Sequence, residues 1–238
     1  MKQDITRRGF IAAVGAAAAA GAAAKAVGAD TPTETPAGKA AKIVGVCTSP
    51  RKGKGTATAL AACLAAVKEA FPAIETELIE LAGLKINGNL AAGVPLEAGE
   101  TDDFPALMPK LADPKVIAIL VGSPVYFGNM SSLCKAFLDR CIAFRKNFAL
   151  AGKAAGALAV GGSRNGGQEM TIRTIHTALM GQGMIIVGDG PPVSHPGAAL
   201  WSGAGKNGVA DDAFGMGTAK TLGRHVATIA LRLAGRRP

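Results

Sequence analysis

The chain has 238 residues, with 26 Lys and Arg against 17 Asp and Glu (net +9), 49% hydrophobic residues, only 4% aromatic ones, 32 Gly and 13 Pro. That much apolar material excludes a disordered chain, and four cysteines without a Cys-x-x-Cys pair exclude a disulfide-dense miniprotein and give no zinc or thioredoxin-type signature. The apolar run 10–24 is too short and too rich in Ala and Gly to span a bilayer, and scattered cations without interleaved aromatics argue against nucleic acid as a partner.

In chain order, Thr6-Arg7-Arg8-Gly9-Phe10-Ile11 leads into that Ala/Gly body, and Ala24-Lys25-Ala26 and Val27-Gly28-Ala29 offer small-residue cleavage patterns. Residues 1–29 therefore resemble a twin-arginine signal peptide, which implies passage through the twin-arginine translocase and a periplasmic or exported location. Paired arginines followed by an uncharged stretch leave no polar face for an amphipathic helix. Residues 30–41, rich in Pro and Thr, read as a linker, so the folded domain is 42–238.

From there short β-branched runs alternate with helical segments. Strands are predicted at 42–47, 75–80, 116–122, 153–160 and 184–187, and helices at about 56–70, 102–111, 131–144, 167–181 and 213–234. Such alternation makes an α/β fold, a flavodoxin-like three-layer doubly wound sandwich around a five-stranded parallel sheet of order 2-1-3-4-5. A ligand then sits beyond the carboxyl ends of the strands, where the unusual residues gather. Thr48-Ser49-Pro50-Arg51-Lys52-Gly53-Lys54-Gly55-Thr56-Ala57-Thr58 opens a helix, whose free N–H groups can hold a phosphate with help from the hydroxyls of Ser49, Thr56 and Thr58 and the charge of Arg51. An N-capped turn with solvated lysines reads equally well, and the spacing fits neither Gly-x-x-x-x-Gly-Lys-Ser/Thr nor Gly-x-Gly-x-x-Gly. In the second loop, Tyr126 and Phe127 either meet a flat ligand or cap the core. The third, 161–169, carries four Gly, which suits close backbone approach or a flexible turn.

Ser49-Pro50-Arg51, Gly122-Ser123-Pro124-Val125-Tyr126-Phe127-Gly128-Asn129-Met130 and Gly161-Gly162-Ser163-Arg164 through Gln168-Glu169 together resemble the NADPH-dependent FMN reductase and iron-sulfur-flavoprotein-like branch of the flavodoxin superfamily. The resemblance covers 42–235 and extends to Lys135-Ala136-Phe137-Leu138-Asp139-Arg140 and Leu222-Gly223-Arg224. It implies bound FMN, NAD(P)H as a possible co-substrate, transfer of hydride or electrons to a small acceptor such as a quinone or free flavin, and association as a homodimer or homotetramer. An exported electron carrier that does not oxidise NAD(P)H itself is the alternative. By the same likeness Ser49, Arg51, Gly55, Thr56 and Thr58 hold the phosphate. Pro124, Val125, Tyr126, Phe127, Gly128 and Asn129 contact the ribityl chain and flavin ring, and Gly162, Ser163, Arg164 and Gly167 close over the pyrimidine side. The flavin then carries the chemistry without a separate catalytic acid–base pair. The chain departs from the likeness in two places: 87–99 has no cysteine where iron-sulfur relatives carry a cluster motif, and Thr48 and Gly55 replace the usual Gly and Asn. His176 reads as a packed or surface residue, and His195, with Trp201, as part of a Gly-rich loop over 190–217 that is either a lid or solvent-facing.

Overall fold

A computed structural model describes residues 40–235; the signal peptide and nearly all of the linker expected from the sequence lie outside the described residues. The strands are β1 (Ala41–Cys47), β2 (Ile74–Glu80), β3 (Val116–Tyr126), β4 (Asn129–Met130), β5 (Ala154–Gly161), β6 (Ile185–Ile186) and β7 (Ala198–Trp201). The helices are α1 (Gly55–Ala70), α2 (Phe104–Ala112), α3 (Ser132–Arg140), α4 (Gln168–Met180) and α5 (Ala213–Leu233), with 3-10 turns at Gly88–Ala92, Cys141–Lys146 and Gly208–Asp211. The sheet runs β2-β1-β3-β5-β6, the doubly wound flavodoxin-like order, and every pairing is parallel except the β3–β4 hairpin.

β1, β3 and β5 are buried on both faces, as their near-continuous apolar sequences require. One core packs α1 and α5 against the sheet through Leu60, Leu64, Leu222 and Val226, and the other packs α2, α3 and α4 through Phe104, Phe137 and Ile175. Glycines set the spacing of the first layer. A Cβ on Gly122 would lie 2.7 Å from Leu60 Cδ1, and one on Gly156 would lie 2.9 Å from Val226 Cγ2. The leucines of α1 therefore lie directly on the backbone of the central strands.

Among the described residues seven strands replace the five expected, with the class unchanged. The fifth strand is split: β6 pairs with Ala154 and Ala155, β7 pairs with Leu158–Gly161, and the two share one sheet edge on either side of 188–197. Pro191 and Pro192 have no N–H to give a ladder, so the chain leaves the edge there and returns at Ala198. β7 and the turn at Gly208–Asp211 also correct the reading of 190–217 as one long loop. β3 runs on through Pro124 to Tyr126, and the third helix stops at Arg140 before a 3-10 turn. Arg140 is held there by Asp102 (2.6 Å) and the carbonyl of Asn87 (3.1 Å), both in the segment preceding α2.

All four cysteines are core residues whose thiols are pushed up by burial, Cys47 and Cys134 to about 11, Cys63 and Cys141 to about 12. His176 is buried in α4, Nε2 has no partner among the described residues, and desolvation lowers its pKa to about 4. Between the ordinary histidine value of 6.5 and about 4, the unfolded chain binds a proton that the folded chain refuses, so stability falls on acidification through that window. Replacing His176 by Leu is expected to flatten this stretch of a denaturation-against-pH curve; an unchanged slope would remove His176 as its cause.

Candidate functional site

The carboxyl ends of β1, β3, β5 and β7 converge on a cavity of about 180 Å³ lined by Ser49, Arg51, Gly55, Thr56, Pro124, Val125, Tyr126, Val160, Gly162 and Ser202. Its floor is the start of α1, where Lys54 provides no side-chain cap and the first turn has no acidic residue. Thr58 N–H closes the first helical bond to Lys54 O (3.0 Å), while the amides of Gly55, Thr56 and Ala57 have no acceptor among the described residues. Three free amides at a helix start, with the positive end of the helix dipole behind them, favour an oxyanion.

The first loop is built to present that turn. Ser49 Oγ accepts from Arg51 N–H (3.1 Å) and donates to Arg51 O (3.2 Å), so this hydroxyl shapes the loop. Gly53, at φ +64°, gives its N–H to Glu80 Oε2 (2.7 Å) and turns the chain towards α1. Thr48 donates from Oγ1 to Gly122 O (2.9 Å) and accepts at its carbonyl from Ser131 Oγ (2.8 Å), tying β1 to β3 and to the start of α3.

The second and third loops brace each other. Gly128, at φ +76°, lies so close to Gly167 that a Cβ there would meet Gly128 Cα at 2.6 Å. Asn129 Oδ1 accepts from Met130 N–H (2.8 Å) and from the Thr174 hydroxyl (2.9 Å), which anchors the β3–β4 hairpin to α4. Tyr126 faces the cavity, whereas Phe127, at φ +48°, is fully exposed at the hairpin tip. Gln168 is buried and bonds Gly166 N–H (2.8 Å), Ser163 O (2.6 Å) and Leu200 O (3.2 Å), which fixes the glycine loop.

Of the residues picked from the sequence, Ser49, Arg51, Gly55, Thr56, Pro124, Val125, Tyr126 and Gly162 line this one cavity. Thr58 points outward from the first turn, Phe127 faces solvent, and Gly128, Asn129, Ser163 and Gly167 support the walls through the contacts above. Arg164 lies over the Trp201 ring (4.8 Å) and is not among the residues lining this cavity. Sequence reasoning missed Val160 and Ser202. Ser202 donates from both N–H (2.9 Å) and Oγ (3.1 Å) to Gly161 O, closing the rim. The signal that pointed to it was the short apolar run Ala198-Ala199-Leu200-Trp201, a strand whose end carries a hydroxyl residue. Among the described residues no group of three or more His, Cys, Asp or Glu is placed to hold a metal, and no helix is long and apolar enough to cross a membrane.

Comparison with known proteins gives a consistent set of likenesses. The profile of the NADPH-dependent FMN reductase family matches residues 41–197. An iron-sulfur flavoprotein of Methanocaldococcus jannaschii is 38% identical over 193 residues, covering 79% of this chain and 96% of its own length. An NAD(P)H dehydrogenase (quinone) of Paracoccus denitrificans is 39% identical over 136 residues, covering 50% of this chain and 64% of its own length. A flavodoxin, WrbA-like protein from Agrobacterium tumefaciens shares the fold at a TM-score of 0.56 and 19% identity, over 82% of this chain and 99% of that one.

Proposed function

The chain belongs to the NADPH-dependent FMN reductase family and is an FMN-dependent oxidoreductase; on that premise we propose that the cradle at the start of α1 holds the cofactor by its phosphate. The observation that carries this reading is the set of three unclaimed amides opening into a cavity rimmed by three loops. In it, Gly55, Thr56 and Ala57 bind the phosphate through their N–H groups, with the Thr56 hydroxyl beside them, and Arg51 offsets its charge. Pro124, Val125 and Tyr126 form the wall along the ribityl chain and ring, and Gly162 permits backbone approach on the opposite side. Gly128, Asn129, Ser163 and Gly167 keep both loops in place. FMN, when bound, supplies hydride or electron transfer from a reduced nicotinamide to a small acceptor, a quinone or free flavin in this reading. The described residues do not fit a cysteine-ligated cluster, because the four thiols are buried in the core and no three potential ligands meet.

Export by the twin-arginine route and assembly as a homodimer or homotetramer complete the proposal. Export rests on Thr6-Arg7-Arg8-Gly9-Phe10-Ile11 and favours a second reading, since a protein beyond the membrane meets little NAD(P)H: an electron carrier reduced by another donor. One measurement separates these, made on protein whose flavin is first seen in its spectrum. A visible spectrum of the purified protein shows oxidised flavin under either reading. Anaerobic NADH or NADPH bleaches it only if the chain oxidises nicotinamide itself; bleaching by dithionite alone leaves the carrier. The Arg7→Lys, Arg8→Lys double variant is expected to remain unprocessed inside the cell, and processed periplasmic protein would sink the twin-arginine assignment.

Tyr126 and Phe127, adjacent in sequence, should behave differently. Tyr126→Ala removes an aromatic wall worth about 1 kcal/mol or more, so FMN affinity should fall about tenfold. Phe127→Ala should leave it unchanged, and Phe127→Gly, which relieves a positive φ, should stabilise the flavin-free protein by about 0.5 kcal/mol. Fluorescence titration and urea denaturation of the three variants decide; a large affinity loss in Phe127→Ala would place its ring on the flavin.

A further inference from the structure

We propose that His195, held by buried Asp189, and Arg164, stacked on Trp201, form a second small-molecule site, outside the flavin cradle, that takes an aromatic monocarboxylate. Both groups line a cavity of about 430 Å³ between α4, α5 and the segment 188–197, and that cavity shares no residue with the cradle. The volume suits a single substituted ring.

The first partner is fixed from beneath. Asp189 is fully buried, and its carboxylate accepts from both His195 N–H and His195 Nδ1 (3.0 Å). With Nδ1 committed, Nε2 is the ring nitrogen left for a ligand, and it has no partner among the described residues. The segment carrying the pair is itself pinned to α5. His225 Nδ1 lies 3.1 Å from Gly188 O, and a Cβ on Gly190 would meet His225 Nδ1 at 2.5 Å. The second partner is fixed from the other side: Trp201 donates from Nε1 to Gly162 O (3.1 Å), and the Arg164 guanidinium lies 4.8 Å from the centre of its ring.

The body of the ligand follows from the remaining wall. Ile172, Pro196 and the exposed ring of Phe214 are apolar, and Phe214 stands edge-on to His195 at 6.1 Å. A ring placed there covers Phe214 while its carboxylate meets the planar fork of Arg164, with Nε2 of His195 beside it. Glu169 lines the same wall and disfavours a second negative charge, which selects a monoanion over a dianion. Neither His195 nor Asp189 has a part in holding FMN, so their arrangement is left over once the cradle is accounted for.

Benzoate, benzyl alcohol and phthalate, titrated calorimetrically into the protein as purified, are the probes. Benzoate is expected to bind one to one without releasing FMN, and the other two at least tenfold more weakly. His195→Gln and Phe214→Ala should each lower benzoate affinity about tenfold with flavin content unchanged, and Phe214→Ala should leave the melting temperature as it is. Phe214 is exposed, so its variant folds even where the histidine variant does not. Absence of saturable binding, equal binding of benzyl alcohol, displacement of FMN by benzoate, or full affinity in the Phe214→Ala variant would each overturn the site. A chain that carries no flavin yet binds benzoate with these preferences would count against the cradle and for this site; a flavin-loaded chain that ignores benzoate gives the reverse.

Discussion

FMN is expected to bind this chain about a hundredfold more tightly than riboflavin. The two ligands share the isoalloxazine and ribityl contacts and differ only in the phosphate, so their ratio isolates what the start of α1 contributes. Gly55, Thr56 and Ala57 present three amides without acceptors, and hydrogen bonds to a charged group contribute about 1.5–3 kcal/mol each. Two such bonds at the lower end give about 3 kcal/mol, which is roughly a hundredfold at 1.4 kcal/mol per decade. Thr56→Val keeps the backbone amide and removes the hydroxyl, so FMN affinity should fall about tenfold while riboflavin binding stays as it was. Equal dissociation constants for FMN and riboflavin in a fluorescence titration would show that the phosphate is held elsewhere.

The cradle was readable from sequence to the extent that its residues are local to strand ends. Ser49 and Gly162 come just after β1 and β5, Pro124 lies near the carboxyl end of β3, and Gly55 and Thr56 open the helix that β1's loop leads into, so a parallel sheet brings them together whatever the details of packing. Thr58 falls outside the cavity for a reason visible in helix geometry: two residues at about 100° each put it some 200° around from Thr56, so the two hydroxyls face different sides. Strand alternation and the tight hairpin do the same to Phe127 beside Tyr126. Val160 and Ser202 were missed because their place at the rim depends on pairing across the sheet: β7 returns to β5 only after the excursion around Pro191 and Pro192, and a four-residue strand among glycines leaves a weak period. His195 and Asp189 lie in that same excursion, where periodicity carries no information, and only the fold shows that they meet.

One substitution, made twice in α5, should have opposite effects on stability. Gly223 is buried where α5 crosses α1, and a Cβ there would lie 2.2 Å from the carbonyl oxygen of Cys63 and 3.0 Å from its carbonyl carbon. The obstruction is backbone within a helix, so no side-chain rotation relieves it, and the two helices must separate. That parts Leu60 and Leu64 from Leu222 and Val226 and loosens the layer resting on Gly122 and Gly156. Gly223→Ala should therefore cost about 3 kcal/mol, the upper end for overpacking, despite the gain in helix propensity. Gly217 lies on the exposed face of the same helix with nothing within 4 Å of its Cβ position, so there only propensity acts, and Gly217→Ala should stabilise by about 0.5–1 kcal/mol. Urea denaturation of the two single variants reads the difference directly. A Gly223→Ala protein as stable as the parent would mean that α1 and α5 cross with more room than 2.2 Å allows.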